Sequence, residues 1–118
     1  MVVTDSDKQF SGLDARQIWE DLDNQPPFQI EQIAKNYYGN KVRWEVTLKG
    51  TPTLNGTSLR VMTLYKGSYP WVYFTADIKQ YPILKTAKKG TRFIVTGTIS
   101  KIGEGGFTVD IDGIEYNN

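Results

Sequence analysis

The stretch Leu59-Arg-Val-Met-Thr-Leu-Tyr-Lys-Gly-Ser-Tyr-Pro-Trp-Val-Tyr-Phe-Thr-Ala-Asp77 decides the fold. In its first half Leu59, Val61, Thr63 and Tyr65 alternate with Arg60, Met62, Leu64 and Lys66. Side chains on a strand point to opposite faces in turn, so a period of two reads as a half-buried β-strand. Lys66–Pro70 reads as the turn, because glycine, serine and proline are turn residues. Trp71–Asp77 is the next strand, with Val72, Phe74 and Ala76 on one face and Trp71, Tyr73 and Thr75 on the other.

Working outward, the same period runs through Lys41–Leu48, where Val42, Trp44, Val46 and Leu48 are the apolar set. Gly50–Gly56 reads as a turn-rich loop. Ile78–Lys89, broken by Pro82, allows only a brief helical turn carrying Ile83, Leu84 and Ala87. Arg92–Lys101 is a fourth strand with Phe93, Val95, Gly97 and Ile99 inward, and its mid-strand glycine predicts a bend or bulge. Phe107, Val109 and Ile111 mark a fifth strand, followed by an Asp112-Gly113 turn. The organised stretch is therefore Lys41–Ile111: three strands, a short helical insert, two strands.

Before it the period is 3.6. Asp14 is placed to cap a helix over Ala15–Leu22, with Ile18, Trp19 and Leu22 on one face, stopped by Asn24 and the Pro26–Pro27 pair. Phe28, Ile30, Ile33, Ala34 and Tyr37 predict a second short helix ended by Gly39. Trp19 and Phe28 are expected as packing anchors. The domain expectation is a disordered lead-in over 1–12 and one domain over 13–118, with a helical preface at 13–38 and the barrel at 39–116.

The sequence holds no cysteine and no histidine. Disulfides, thiolate metal sites and imidazole acid–base chemistry are thereby excluded. Asp110 and Asp112 supply too few oxygens for a dedicated calcium site, and Gly103–Gly106 lacks the spacing of a phosphate loop. With no histidine the serines lack their usual base, and no spacing signals a Ser–Lys pair. The expectation is a protein that is not an enzyme, with no cofactor and no metal. Met1–Gly12 carries no basic and apolar leader pattern, and no apolar run reaches the ~20 residues of a membrane span. Cytoplasmic location is the corresponding expectation.

Charge is segregated along the chain. Residues 1–40 hold seven carboxylates against three cations, residues 41–103 hold eleven Lys/Arg against Glu45 and Asp77, and residues 104–118 hold four carboxylates and no cation. The basic middle is a footprint for a polyanion, unless the acidic flanks fold back and neutralise it.

Three strands, a short helix and two strands is the element order of the oligonucleotide/oligosaccharide-binding barrel, the OB-fold. Tyr38-Gly39-Asn40-Lys41-Val42-Arg43-Trp44-Glu45-Val46, the segment Leu84–Ile99, and Phe107-Thr-Val-Asp-Ile-Asp-Gly-Ile-Glu115 resemble the first, fourth and closing strands of the bacterial tRNA anti-like OB-fold domains. The resemblance covers about Tyr38–Tyr116 and implies a mainly β, five-stranded OB-fold Greek-key barrel preceded by one or two short α-helices. Its motifs are structural, so it speaks to fold more than to function.

Such a barrel presents ligands on its second and third strands and the two flanking loops. In this sequence those places hold Lys49, Arg60, Met62, Lys66, Trp71, Tyr73 and Lys101, the candidate site for single-stranded DNA or RNA. Cations follow phosphates and aromatic rings stack on bases. If Val72, Phe74 and Ala76 face inward, Trp71 and Tyr73 face out, two residues or about 7 Å apart along the strand; the competing reading has both rings facing the core or lying under the N-terminal helices. The alternative is a protein-docking or homodimer face on the same strip, and a third reading is a sugar platform. Lys85, Lys88, Lys89 and Arg92 form a second basic cluster, read as a solvated surface.

Overall fold

The computed structural model describes residues 12–103 and 105–116. The lead-in expected over 1–12 lies outside these residues, apart from Gly12.

Helix α1 (Ala15–Asp23) forms where its cap predicts. The Asp14 carboxylate accepts the backbone N–H groups of Arg16 at 2.9 Å and Gln17 at 3.1 Å, satisfying two donors that the helix itself cannot. Ala15, Ile18 and Leu22 are its buried face. Pro27 both ends the connection and opens helix α2 (Pro27–Ala34), since proline at the first helical position forfeits no bond. A 3-10 turn, Lys35–Tyr37, continues α2 to the left-handed Gly39. Trp19 packs as expected, its ring 6.2 Å from that of Phe107. Phe28 does not: it is 93% exposed. Only the end of α2 is buried, at Ala34, so its first turn stands clear of the sheet.

The rest is a six-stranded sheet: β1 (Lys41–Leu48), β2 (Thr53–Asn55), β3 (Ser58–Tyr65), β4 (Ser68–Asp77), β5 (Arg92–Gly103) and β6 (Gly106–Tyr116). The strand order is β1-β5-β6-β4-β3-β2, and a further β1–β3 pairing closes five of the strands into a ring. β2 is the strand not expected; it lies inside the predicted loop and pairs with Ser58–Arg60. β4 begins at Ser68, earlier than predicted, because Lys66 and Gly67 alone make the turn. Both have positive φ, 48° and 87°, the backbone twist that joins adjacent antiparallel strands in two residues. β6 runs through Asp112-Gly113, which is no turn: Asp112 is an extra residue opposite Thr96–Gly97, a bulge within the strand.

The predicted inward sets line the ring. Val42, Val46, Val61, Val72, Val95, Phe74, Phe93 and Phe107 are almost wholly buried. Trp44 closes the end under α1, donating its indole N–H to the Leu13 carbonyl at 2.8 Å. Leu84, from the 3-10 turn Pro82–Lys85, is buried as the expected insert requires. Two close approaches fix the ring. A Cβ at Gly97 would collide with the Asp110 carbonyl, and one at Gly106 with the Trp71 carbonyl. The second contact is where β4 and β6 join in parallel, over only Trp71–Tyr73 and Gly106–Thr108. Among the described residues no helix is long and apolar enough to cross a membrane.

Candidate nucleic-acid interface

Strand register assembles the site. Met62 on β3 lies opposite Tyr73 on β4, Tyr73 opposite Thr108 on β6, and Thr108 opposite Lys101 on β5. At the other end the Lys49 N–H donates to the Met62 carbonyl at 3.2 Å. Lys49, Met62, Tyr73, Thr108 and Lys101 therefore form one row across the outer surface. With neighbouring strands about 4.8 Å apart, the row spans ~19 Å. It begins and ends on lysine. Arg60 stands one row below, opposite Thr75, with its guanidinium carbon 5.9 Å from the Tyr73 ring centroid.

Beside this row β4 and β6 part company after Tyr73–Thr108. The parting opens a groove of about 290 Å³ lined by Arg60, Tyr73, Thr75, Lys101, Gly103 and Thr108. Three of the predicted residues, Arg60, Tyr73 and Lys101, thus share one wall system although they come from three strands.

Trp71 and Tyr73 point outward, as the alternation requires, but Tyr73 is not exposed. Only 9% of its surface meets solvent. The Trp71 ring stacks on it at 6.2 Å with planes 11° apart, and Arg60 covers it further. Trp71 is half-buried between Tyr73 and Tyr69, whose ring stands edge-on at 6.1 Å. Tyr69 is 65% exposed and is the ring that sequence reasoning missed. The signal was present, since 69, 71 and 73 share one period; reading Pro70 as part of a turn hid it. Thr75 and Thr108, also in the groove, carried no signal that separates them from ordinary strand threonines.

Lys66 is not brought to the row. The left-handed turn carries it to the far end of β3, where its ammonium lies 5.3 Å from the Tyr65 ring centroid. There it joins the start of α1. The Asp14 carboxyl is held below its ordinary value chiefly by the Gln17 backbone hydrogen bond, then by that of Arg16, with smaller contributions from Tyr65 and Lys66. Arg16 fastens the same corner. Its guanidinium donates to the Tyr65 carbonyl at 3.1 Å, the Tyr69 carbonyl at 3.1 Å and the Ser68 hydroxyl at 2.7 Å.

Among the described residues the acidic C-terminal flank does fold back, but elsewhere. Arg43 pairs with Glu115 at 2.7 Å and Lys41 with Asp112 at 3.2 Å, both reaching across β5 from β1 to β6. Among the described residues the remaining ion pair joins Lys35 to Glu31. Lys49, Arg60 and Lys101 keep their charge facing solvent. No group of three or more acidic side chains able to hold a metal occurs among the described residues.

The backbone is similar to solved structures titled OBody bound to hen egg-white lysozyme. OBody AM2EP06 aligns at TM-score 0.54 and 13% identity, covering 75% of this chain and 89% of that one. OBody AM3L15 gives 0.54 and 12% over 74% and 89%, and OBody AM1L10 gives 0.53 and 11% over 70% and 83%. The fold is OB-like. No protein-family model matches this sequence, and no curated protein does. The row of Lys49, Met62, Tyr73 and Lys101 crosses both β3 and β4.

Proposed function

We propose that the closed ring is a five-stranded Greek-key OB barrel of the tRNA anti-like kind, and that it is a non-catalytic, cytoplasmic module binding single-stranded nucleic acid across β3 and β4. The observation that carries this reading is the register row that begins at Lys49, ends at Lys101 and crosses an aromatic ladder between them. Phosphates follow the cations and a base stacks on the exposed side of the Trp71–Tyr69 pair; each stack is worth about 1–3 kcal/mol. Tyr73 is the support beneath that platform and Arg60 the cation beside it. The pairing of the acidic tail with Lys41 and Arg43 keeps carboxylates off the row.

The test is fluorescence anisotropy of labelled single-stranded DNA and RNA 15-mers at low and moderate salt. Micromolar or tighter binding that weakens with salt supports the reading, because phosphate contacts release counterions. Absence of binding at low salt overturns it. A protein ligand, or a second copy of the chain, on the same face is the second reading. It is favoured by the exposure of Tyr69 at 65% and Met62 at 38%, an apolar strip of the kind interfaces use. It predicts a partner-dependent or concentration-dependent mass.

A further inference from the structure

Lys88, Lys89 and Arg92 lie outside the row, yet the strand pairing brings them to its end. Leu48 is held between β3 and the start of β5. Its carbonyl accepts the Gly90 N–H at 2.8 Å and its N–H donates to the Thr91 carbonyl at 2.8 Å. Lys49 is the next residue, and it is the one bonded to Met62. The turn 88–91 is therefore the direct neighbour of the Lys49 end of the row. One row along, Arg92 lies opposite Thr47, Thr47 opposite Leu64, and Leu64 opposite Trp71. The inward neighbours Phe93, Leu48, Thr63 and Val72 are all buried, so this second row also faces outward. It leads from the aromatic ladder to the same basic turn. Lys88, Lys89 and Arg92 are exposed.

The charges beyond set the direction. In the next row on this wall Glu45 lies opposite Ile94, and Ile94 opposite Glu115. A phosphodiester leaving Met62 across β1 meets the exposed Glu45 on that side, beside a Glu115 already held by Arg43, and the exposed Arg92, Lys88 and Lys89 on the other. Like charge repels and unlike charge attracts, so the two exits are unequal.

We infer that the nucleic-acid track does not end at Lys49 but turns over Thr47 onto the 88–92 corner, with Lys88, Lys89 and Arg92 as phosphate contacts that only a longer strand reaches. This rests on the nucleic-acid reading above. The added path is one strand width, ~5 Å, beyond the ~19 Å of the row.

The experiment compares a thymidine hexamer and a thymidine 15-mer on the full chain and on a K88Q/K89Q/R92Q variant, each over a range of salt. Expected for the variant is about a tenfold loss with the 15-mer, no more than about twofold with the hexamer, and a salt slope for the 15-mer smaller by about 2, at about 0.7 per phosphate contact for single strands. If the parent chain binds the 15-mer and the variant binds it equally well, the extension is wrong while the nucleic-acid site stands. Equal losses with both lengths also overturn the extension, since a general charge effect would do the same. Failure of the parent chain to bind either oligonucleotide overturns both readings. Thermal unfolding of the variant, expected to be essentially that of the parent for exposed positions, shows that the comparison is between folded proteins.

Discussion

The ring of Tyr73 lies flat against that of Trp71, 6.2 Å between centroids and 11° between planes. The two residues were expected to act as equals; the stacking makes one the surface and the other its support.

Trp71→Ala and Tyr73→Ala should therefore differ. Removing Trp71 takes away the more accessible ring of the stacked pair and should weaken oligonucleotide binding tenfold or more, with a modest change in stability. Removing Tyr73, buried at 9% exposure, should cost about 2 kcal/mol of stability and weaken binding less at a temperature where both variants are folded. Denaturant titration and anisotropy on the same samples check this. Equal binding losses would mean that the rings act as two platforms.

Gly97→Ala and Gly106→Ala should each destabilise by about 2 kcal/mol or more, because the added methyl meets backbone that cannot swing aside. Gly103→Ala meets only the end of the flexible Lys101 side chain, 3.9 Å away, and should be far milder. Chemical denaturation of the three variants gives the order.

The Asp14 cap predicts a pH effect of defined sign. Its carboxyl titrates lower in the folded chain than the unfolded value of about 3.9. The ionised cap thus stabilises above that value, and its contribution is lost as pH falls through the lower, folded value. Asp14→Ala should cost about 1 kcal/mol near neutrality. The gap to the parent should close on acidification, followed as unfolding midpoints at several pH values. A gap unchanged by acid would show that the carboxylate is not what holds the helix end.

Phe28→Ser should leave stability within about 0.5 kcal/mol of the parent, as exposed positions do, since the ring is 93% exposed. Trp19→Ala should cost about 2 kcal/mol, because its indole packs on Phe107. Thermal melts of the pair separate the anchor from the residue that only shares its period.

Period two identified the ring strands and their inward faces, because burial of one face is a strong local signal. What it could not supply came from chemistry that reads the same in two settings. Asp112-Gly113 has the composition of a turn and serves as a bulge. Pro70 suggested a break and lies within β4. Thr53–Asn55 is too short to show an alternation, and all three residues are exposed. The site was legible as a set of residue types on two strands. Its order, Lys49 to Lys101, was not, because that order is set by register between strands distant in sequence. Lys66 shows the limit most plainly. It continues the outward set of β3 by counting, yet the positive φ at 66 and 67 takes it away to the start of α1.

Arg16 gives the helical preface a different standing. Its guanidinium ties Ala15–Asp23 to three residues, Tyr65, Ser68 and Tyr69, that flank the Lys66–Gly67 turn from which the aromatic ladder rises. The stacking platform and the first helix are thus one mechanical part. The ring is not a portable unit: a version grafted into another protein from Lys41 onward would carry the ladder without the bolt that sets its angle, and would have to bring an equivalent cation to the same three acceptors.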